Sequence, residues 1–236
     1  MKNLLVITPV KNSIRTAERT IISVMNSCCN ANWKYVVYDD FSDEECASKL
    51  DEMAENLGFD VVHLANIISS PSPNYRYVLQ SAQQSALEID ADLVIIESDV
   101  VIKPDTIANM MQVAEKTDVG MVAAVTVDAD DVVNFPYLYA SKYRADVSVK
   151  KRLSFCCTLL CNRFLKEYNF QKLNPEKQWY DVPISAMSRK LGFKNMLLIN
   201  TRVLHTPHAS RPWKLLKYSN PIKYYWYKFT RGMDKI

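Results

Sequence analysis

Residues 92–100 read DLVIIESDV, an apolar run from Leu93 to Ile96 that ends in Glu97, Ser98 and Asp99. Such a strand has no polar face to give to water, so it is expected to be buried on both sides. That is the position of a strand in a parallel sheet between two helical layers. In sheets of this kind ligands sit beyond the carboxyl ends of the strands. The two carboxylates, one residue apart at that end, are therefore candidate site residues.

The same pattern continues upstream. LLVITPV (4–10), YVVYDD (35–40) and DVVHL (60–64) are short, β-rich apolar segments. Between them, Ile14 to Cys28 places apolar residues at helical spacing. Ser42 and Glu45 have the spacing of a capping box that opens a helix to Leu57, with Gly58 as its stop. Pro71 and Pro73 mark a loop before a helix to about Ile89. Downstream, Pro104 starts another helix and VGMVAAVTV (119–127) is a fifth strand. The second half is less regular. VVNFPYLYA and SFCCTLLC read as strands, Trp179 to Lys190 as a helix ended by Leu191 and Gly192, and FKNMLLINTRVLH as a strand or strand pair. Alternation of this kind predicts an α/β domain with a mostly parallel central sheet and helices on both faces.

Composition narrows the chemistry. The chain has 236 residues, and its four glycines stand far apart, so neither a Walker loop nor a GxGxxG turn can be written. No apolar run approaches the length of a membrane-spanning helix. The opening MKNLLVITPVKN is too short in its apolar part for a secretory leader. The six cysteines lack paired CxxC spacing for zinc, which points to reduced thiols and a cytoplasmic setting. Net charge is +3, but residues 211–236 carry seven Lys or Arg against Asp234. The body is mildly acidic and the tail strongly basic, which argues against nucleic acid as a partner of the whole protein.

Three carboxylate groups stand out. Glu97 and Asp99 offer hard oxygen ligands suited to Mg²⁺ or Mn²⁺ shared with a diphosphate. In YDDFSD (38–43), Asp39 and Asp40 leave a buried strand where a carboxylate can accept a base N–H or a ribose hydroxyl. Asp181 opens the helix after WY, and His205 ends the last strand.

Taken in order, TPVKN, DDFSD, ESD, WYD with its helix, and the late His205 resemble the family 2 glycosyltransferases of the GT-A fold, over residues 3–208. The stretch PNYRYVLQSAQQSALEIDADLVIIESD resembles the family's helix before its DxD strand. The resemblance implies an inverting, metal-dependent transfer of sugar from a nucleotide-sugar donor, UDP-linked, to a glycan or lipid-linked acceptor in polysaccharide biosynthesis. It further implies that Pro9 and Val10 line the base pocket, that Asp39 takes the base N–H, and that Asp40 lies beside the ribose. Glu97 and Ser98 would lie on the nucleotide side. Asp99 would be the main ligand of Mn²⁺ or Mg²⁺, His205 would complete that site, and Asp181 would be the catalytic base. Two departures are visible: Glu97 replaces the first Asp of the DxD, and Tyr180 stands where an acid usually precedes the base.

The division expected is a catalytic domain over 1–210, nucleotide-binding to about 100 and acceptor-binding after it, and a tail over 211–236. That tail mixes cations with Trp213, Tyr218, Tyr224, Tyr225, Trp226, Tyr227 and Phe229, a composition suited to an anionic membrane surface on the inner face, to packing on the domain, or to a dimer contact. Two other functions fit the αβα layout: a sugar nucleotidyltransferase, which needs a glycine-rich first loop that TPVKNSIRTAER lacks, and a non-catalytic nucleotide-binding module.

Overall fold

Two layers of helix enclose one twisted sheet. The computed structural model describes residues 2–177, 179–206, 216 and 220–231. In the first half, β1 (Asn3–Val10), β2 (Asn32–Asp39), β3 (Asp60–His63) and β4 (Ala91–Ile96) alternate with α1 (Ile14–Met25), α2 (Glu44–Leu57) and α3 (Tyr75–Glu88). The second half holds β5 (Val100–Val101), α4 (Thr106–Ala114), β6 (Val119–Val127), β7 (Val147–Ser148), β8 (Cys157–Leu160), α5 (Asn162–Glu167), α6 (Asp181–Lys190) and β9 (Lys194–His205). An outlying helix, α7 (Pro221–Arg231), follows.

The strand order is β3-β2-β1-β4-β8-β6-β9-β5, with β7 on the edge of β9. β1 to β4 pair in parallel, as do β6 and β9. β8 runs antiparallel between β4 and β6. Alternate residues of each strand feed opposite cores, as the period of two requires. Leu5 and Ile7 pack with Val78, Leu79, Phe164 and Ile184 on one face. Leu4 and Val6 pack with Ile21, Val24, Leu50 and Met110 on the other. The two-faced burial expected of DLVII is therefore present.

Several elements differ from their sequence reading. The apolar run 92–100 is not one strand: β4 stops at Ile96, Glu97 donates its N–H to the Cys156 carbonyl, and Val100 begins a new pairing with β9. Helix α2 is capped by Asp43, whose side chain accepts from the Cys46 N–H at 2.9 Å, and not by Ser42. Ser42 is occupied elsewhere, donating its N–H to Asp39 and accepting the N–H of Asn12. Gly58 closes α2 in the left-handed region, at φ 78°, as its position suggests. Helix α1 stops at Met25, short of Cys28. VVNFPYLYA forms a loop with one bridge from Val133 to Val127 and a 3₁₀ turn over Leu138–Lys142, and β8 takes only Cys157–Leu160 of SFCCTLLC. Of the segment 193–205, Lys194–His205 form one strand, β9, with a break in register against Ala124 and Val125. All six cysteines are free. Among the described residues no helix is long and apolar enough to cross a membrane. Of the tail, α7 and Leu216 are described; Arg211, Trp213 and Tyr218 lie outside the described residues.

Candidate active site

The carboxyl ends of β1, β2 and β4 meet where the sheet's halves join. Val10 pairs with Asp39 and Pro9 with Tyr38 in the β1–β2 ladder, and the Asp40 N–H bonds the Val10 carbonyl at 2.9 Å. Pro9, Val10, Asp39 and Asp40 thus form one rim. Asp39 is buried, with Oδ1 accepting the Ser42 N–H at 3.1 Å and Oδ2 at 2.9 Å from Nδ1 of His63. Nε2 of His63 lies 2.8 Å from Oδ1 of Asp51. Burial works against the charged form of this ring, but its bonds to Asp39 and Asp51 outweigh that and raise its pKa. Asp40 accepts from the Ser72 hydroxyl, the Asn74 N–H and the Asn74 side-chain amide, so it ties the loop before α3 to the end of β2.

A cavity of about 760 Å³ opens beside that loop. Asn74, Tyr75, Glu97, Cys156, Trp179, Asp181 and His205 are among the residues that line it. Of the residues singled out in the sequence, Glu97, Asp181 and His205 line it. Asp99 stands just behind, its Oδ2 3.5 Å from Nε2 of His205. Pro9, Val10, Asp39 and Asp40 stay on the adjoining rim, and Ser98 turns away to place its hydroxyl 3.2 Å from that of Ser13.

The ladder between β5 and β9 brings the end of the chain to the acids, pairing Val100 with His205. Nδ1 of His205 lies 2.8 Å from the Phe135 carbonyl, which can only accept, so the proton sits on Nδ1 and Nε2 faces the carboxylates. Ligand atoms of Glu97, Cys156 and His205 lie within 4.8 Å of one another. Burial, then the charge of Asp99, pushes the Glu97 carboxyl up to about 7. Burial disfavours the imidazolium of His205, yet its bond to Asp99 and the two acids raise its pKa overall. The Cys156 thiol, 3.3 Å from Oε2 of Glu97, is held well above its usual range by burial and the same acids. Concentrated acids beside an imidazole whose Nε2 faces Asp99 form a donor set that fits a divalent cation.

Asp181, which also lines the cavity, is the first residue of α6 and is 6% exposed. Burial raises its pKa, while a salt bridge from the Arg152 guanidinium holds the shift back. Arg152 in turn lies 4.7 Å from the Trp179 ring centroid. The Leu153 N–H donates to the Ser185 hydroxyl at 3.0 Å and so fixes this segment against α6. Arg152, Cys156 and His63 were not singled out as site residues in the sequence. His63 had a readable signal, since it ends a strand beside Asp39; Arg152 and Cys156 had none, because they reach the site through tertiary packing.

The chain resembles solved structures over most of its length. The mannosyltransferase PcManGT from Pyrobaculum calidifontis, in complex with GDP-Man and Mn²⁺, superposes with a TM-score of 0.67 at 15% identity, covering 96% of this chain and 64% of that one. S. aureus TarS 1-349 in complex with UDP-GlcNAc gives 0.66 at 16% identity, covering 89% and 60%. GalNAc-T7 with UDP, GalNAc and Mn²⁺ gives 0.65 at 16%, covering 89% and 44%. The chain thus spans less than two thirds of the length of these proteins. No curated protein sequence matches it. The family model described as Glycosyl transferase family 2 matches residues 5–191, from β1 through the end of α6. With the fold shared by these transferases and the family pattern running through both halves of the sheet, the chain belongs to glycosyl transferase family 2.

Proposed function

We propose that this protein is an inverting, cation-dependent glycosyltransferase that moves a sugar from a nucleoside diphosphate to a hydroxyl of a glycan or lipid-linked acceptor. The observation that carries the reading is the convergence of Glu97, Asp99 and His205, of which Glu97 and His205 line a cavity that a further buried carboxylate, Asp181, also lines. Asp99 and His205 hold the cation, with Glu97 alongside. Imidazole in the donor set favours Mn²⁺ over Mg²⁺. The bound cation supplies Lewis-acid neutralisation of the diphosphate leaving group. Asp39 reads the base, with Pro9 and Val10 beside it; Asp40, through Asn74 and Ser72, shapes the wall next to the ribose.

Asp181 takes the proton of the acceptor hydroxyl as its oxygen attacks the anomeric carbon. The bond from that carbon to the diphosphate oxygen breaks with its electron pair on the phosphate. A single carboxylate opposite the leaving group gives one displacement, hence inversion. Arg152 keeps Asp181 ionised against the pull of burial. UDP is the nucleotide to test first, because TarS and GalNAc-T7 bind uridine nucleotides, and GDP second, because PcManGT binds GDP-Man. The acceptor enters from the half after residue 100, and the free thiols suit the reducing cytoplasm. Calorimetry of UDP and GDP with and without Mn²⁺, followed by transfer assays with a donor panel, tests the reading. Binding of neither nucleotide in the presence of Mn²⁺ would refute it.

A further inference from the structure

Helix α7 turns its apolar side outward. Ile222, Tyr225, Trp226 and Phe229 share one face at helical spacing and are 84%, 58%, 61% and 91% exposed. In a helix packed on a globular body this stripe would face the core. Here the buried residue is Tyr224, 4% exposed, on the other side. The helix has no acidic residue in its sequence, and Lys223 and Lys228 lie outside the stripe.

We propose that α7 lies in the surface of an anionic phospholipid bilayer, with Ile222, Tyr225, Trp226 and Phe229 below the headgroups and Lys223 and Lys228 at their phosphates. Eleven residues cannot span a bilayer, but they can lie in its interface, where Trp and Tyr partition favourably and Lys stems extend to the anionic layer. Charge complementarity selects the occupant. Residues 211–236 carry a surplus of six positive charges, which anionic lipid matches and a second copy of the same helix would repel. Single-stranded nucleic acid calls for aromatic platforms along a cationic groove, whereas this stripe is continuous with Ile222 and convex. The proposal is independent of the transferase reading, because lipid binding is measured without donor or acceptor.

The test is flotation of the full chain with vesicles of phosphatidylcholine containing phosphatidylglycerol, or of phosphatidylcholine alone. The expected result is flotation with the anionic vesicles, weakened by salt, and about tenfold weaker in Trp226→Ser/Phe229→Ser and in Lys223→Glu/Lys228→Glu. All four positions lie outside the cavity, so melting temperature and Mn²⁺-dependent nucleotide affinity stay as in the wild type. Equal flotation of the wild type and the aromatic double variant overturns the proposal. So does absence of wild-type flotation, with the same variant instead dissociating a dimer in sedimentation or abolishing binding to single-stranded nucleic acid.

Discussion

The guanidinium of Arg152 lies against Oδ2 of Asp181, in a salt bridge whose acid is buried and whose base stacks on Trp179. The pair gives a carboxylate in an apolar wall a reason to remain charged. It also makes the two side chains separable by experiment.

Replacing Asp181 by Asn keeps shape and removes basicity. Transfer should fall by about 10²–10⁴-fold, the usual range for loss of a general base. Donor affinity with Mn²⁺ should stay near that of the wild type. Single-turnover transfer beside calorimetry separates the two, and full turnover in this variant would remove Asp181 from the reaction.

Arg152→Ala should act on pH as well as on rate. Burial already raises the Asp181 pKa and Arg152 opposes that rise. Without the guanidinium the pKa climbs further, so the acidic limb of the kcat/KM profile should move to higher pH. A limb that stays put, with activity merely scaled down, would mean that Arg152 serves only packing.

At the proposed cation site, proton release from Glu97 should accompany cation binding. The Glu97 carboxyl titrates near 7. The folded protein therefore keeps a proton that the unfolded chain has already lost, and stability without cation should fall as pH rises from the ordinary carboxylate range to about 7. A cation at Asp99 and His205 reverses this. Mn²⁺ should raise the melting temperature clearly at about pH 8 and little at about pH 5.5, where Glu97 and His205 hold protons. Asp99→Ala should erase the gain at both.

The bridge from Asp39 through His63 to Asp51 has the same sign as Glu97 without cation, since both folded pKa values are raised. A histidine pKa raised in the folded state contributes stability below its unfolded value, and that contribution is lost as pH climbs through the folded one. His63→Gln should therefore cost most in mildly acidic buffer, about 1 kcal/mol in urea titrations, and least in alkaline buffer. It should also weaken nucleotide binding, since Asp39 loses the partner that orients Oδ2.

Gly120 gives a test remote from chemistry. A Cβ there would stand 2.7 Å from Phe193 Cβ and from Ser188 Oγ, where the turn after α6 crosses β6. Gly120→Ala should destabilise by about 1–3 kcal/mol while leaving nucleotide affinity intact below the melting transition.

How far these features could be read from the chain depends on the range of the interactions behind them. Apolar runs such as Leu93–Ile96 declare double burial directly, and the acids at their ends declare the rim. The break at Glu97 is hidden, because Val100 and Val101 prolong the same hydropathy; only the backbone bond from Glu97 to Cys156 and the ladder to His205 end one strand and start another. Ser42 and Asp43 are equally good caps in sequence, and the choice falls to Asn12 and Asp39, contributed by other elements. Arg152 joins Asp181 across 29 positions and Cys156 joins Glu97 across 59. No local period marks such pairs.

One strand bears on how the site comes into being. Glu97 and Asp99 are translated in the first half, while His205 ends β9, which also anchors β5 and β7. A nascent polypeptide still lacking that strand has the acids but no imidazole to face them. The order of synthesis therefore sets the order of assembly: the acids after β4 exist before the imidazole that faces them, and the cluster closes only once β9 has paired with β5.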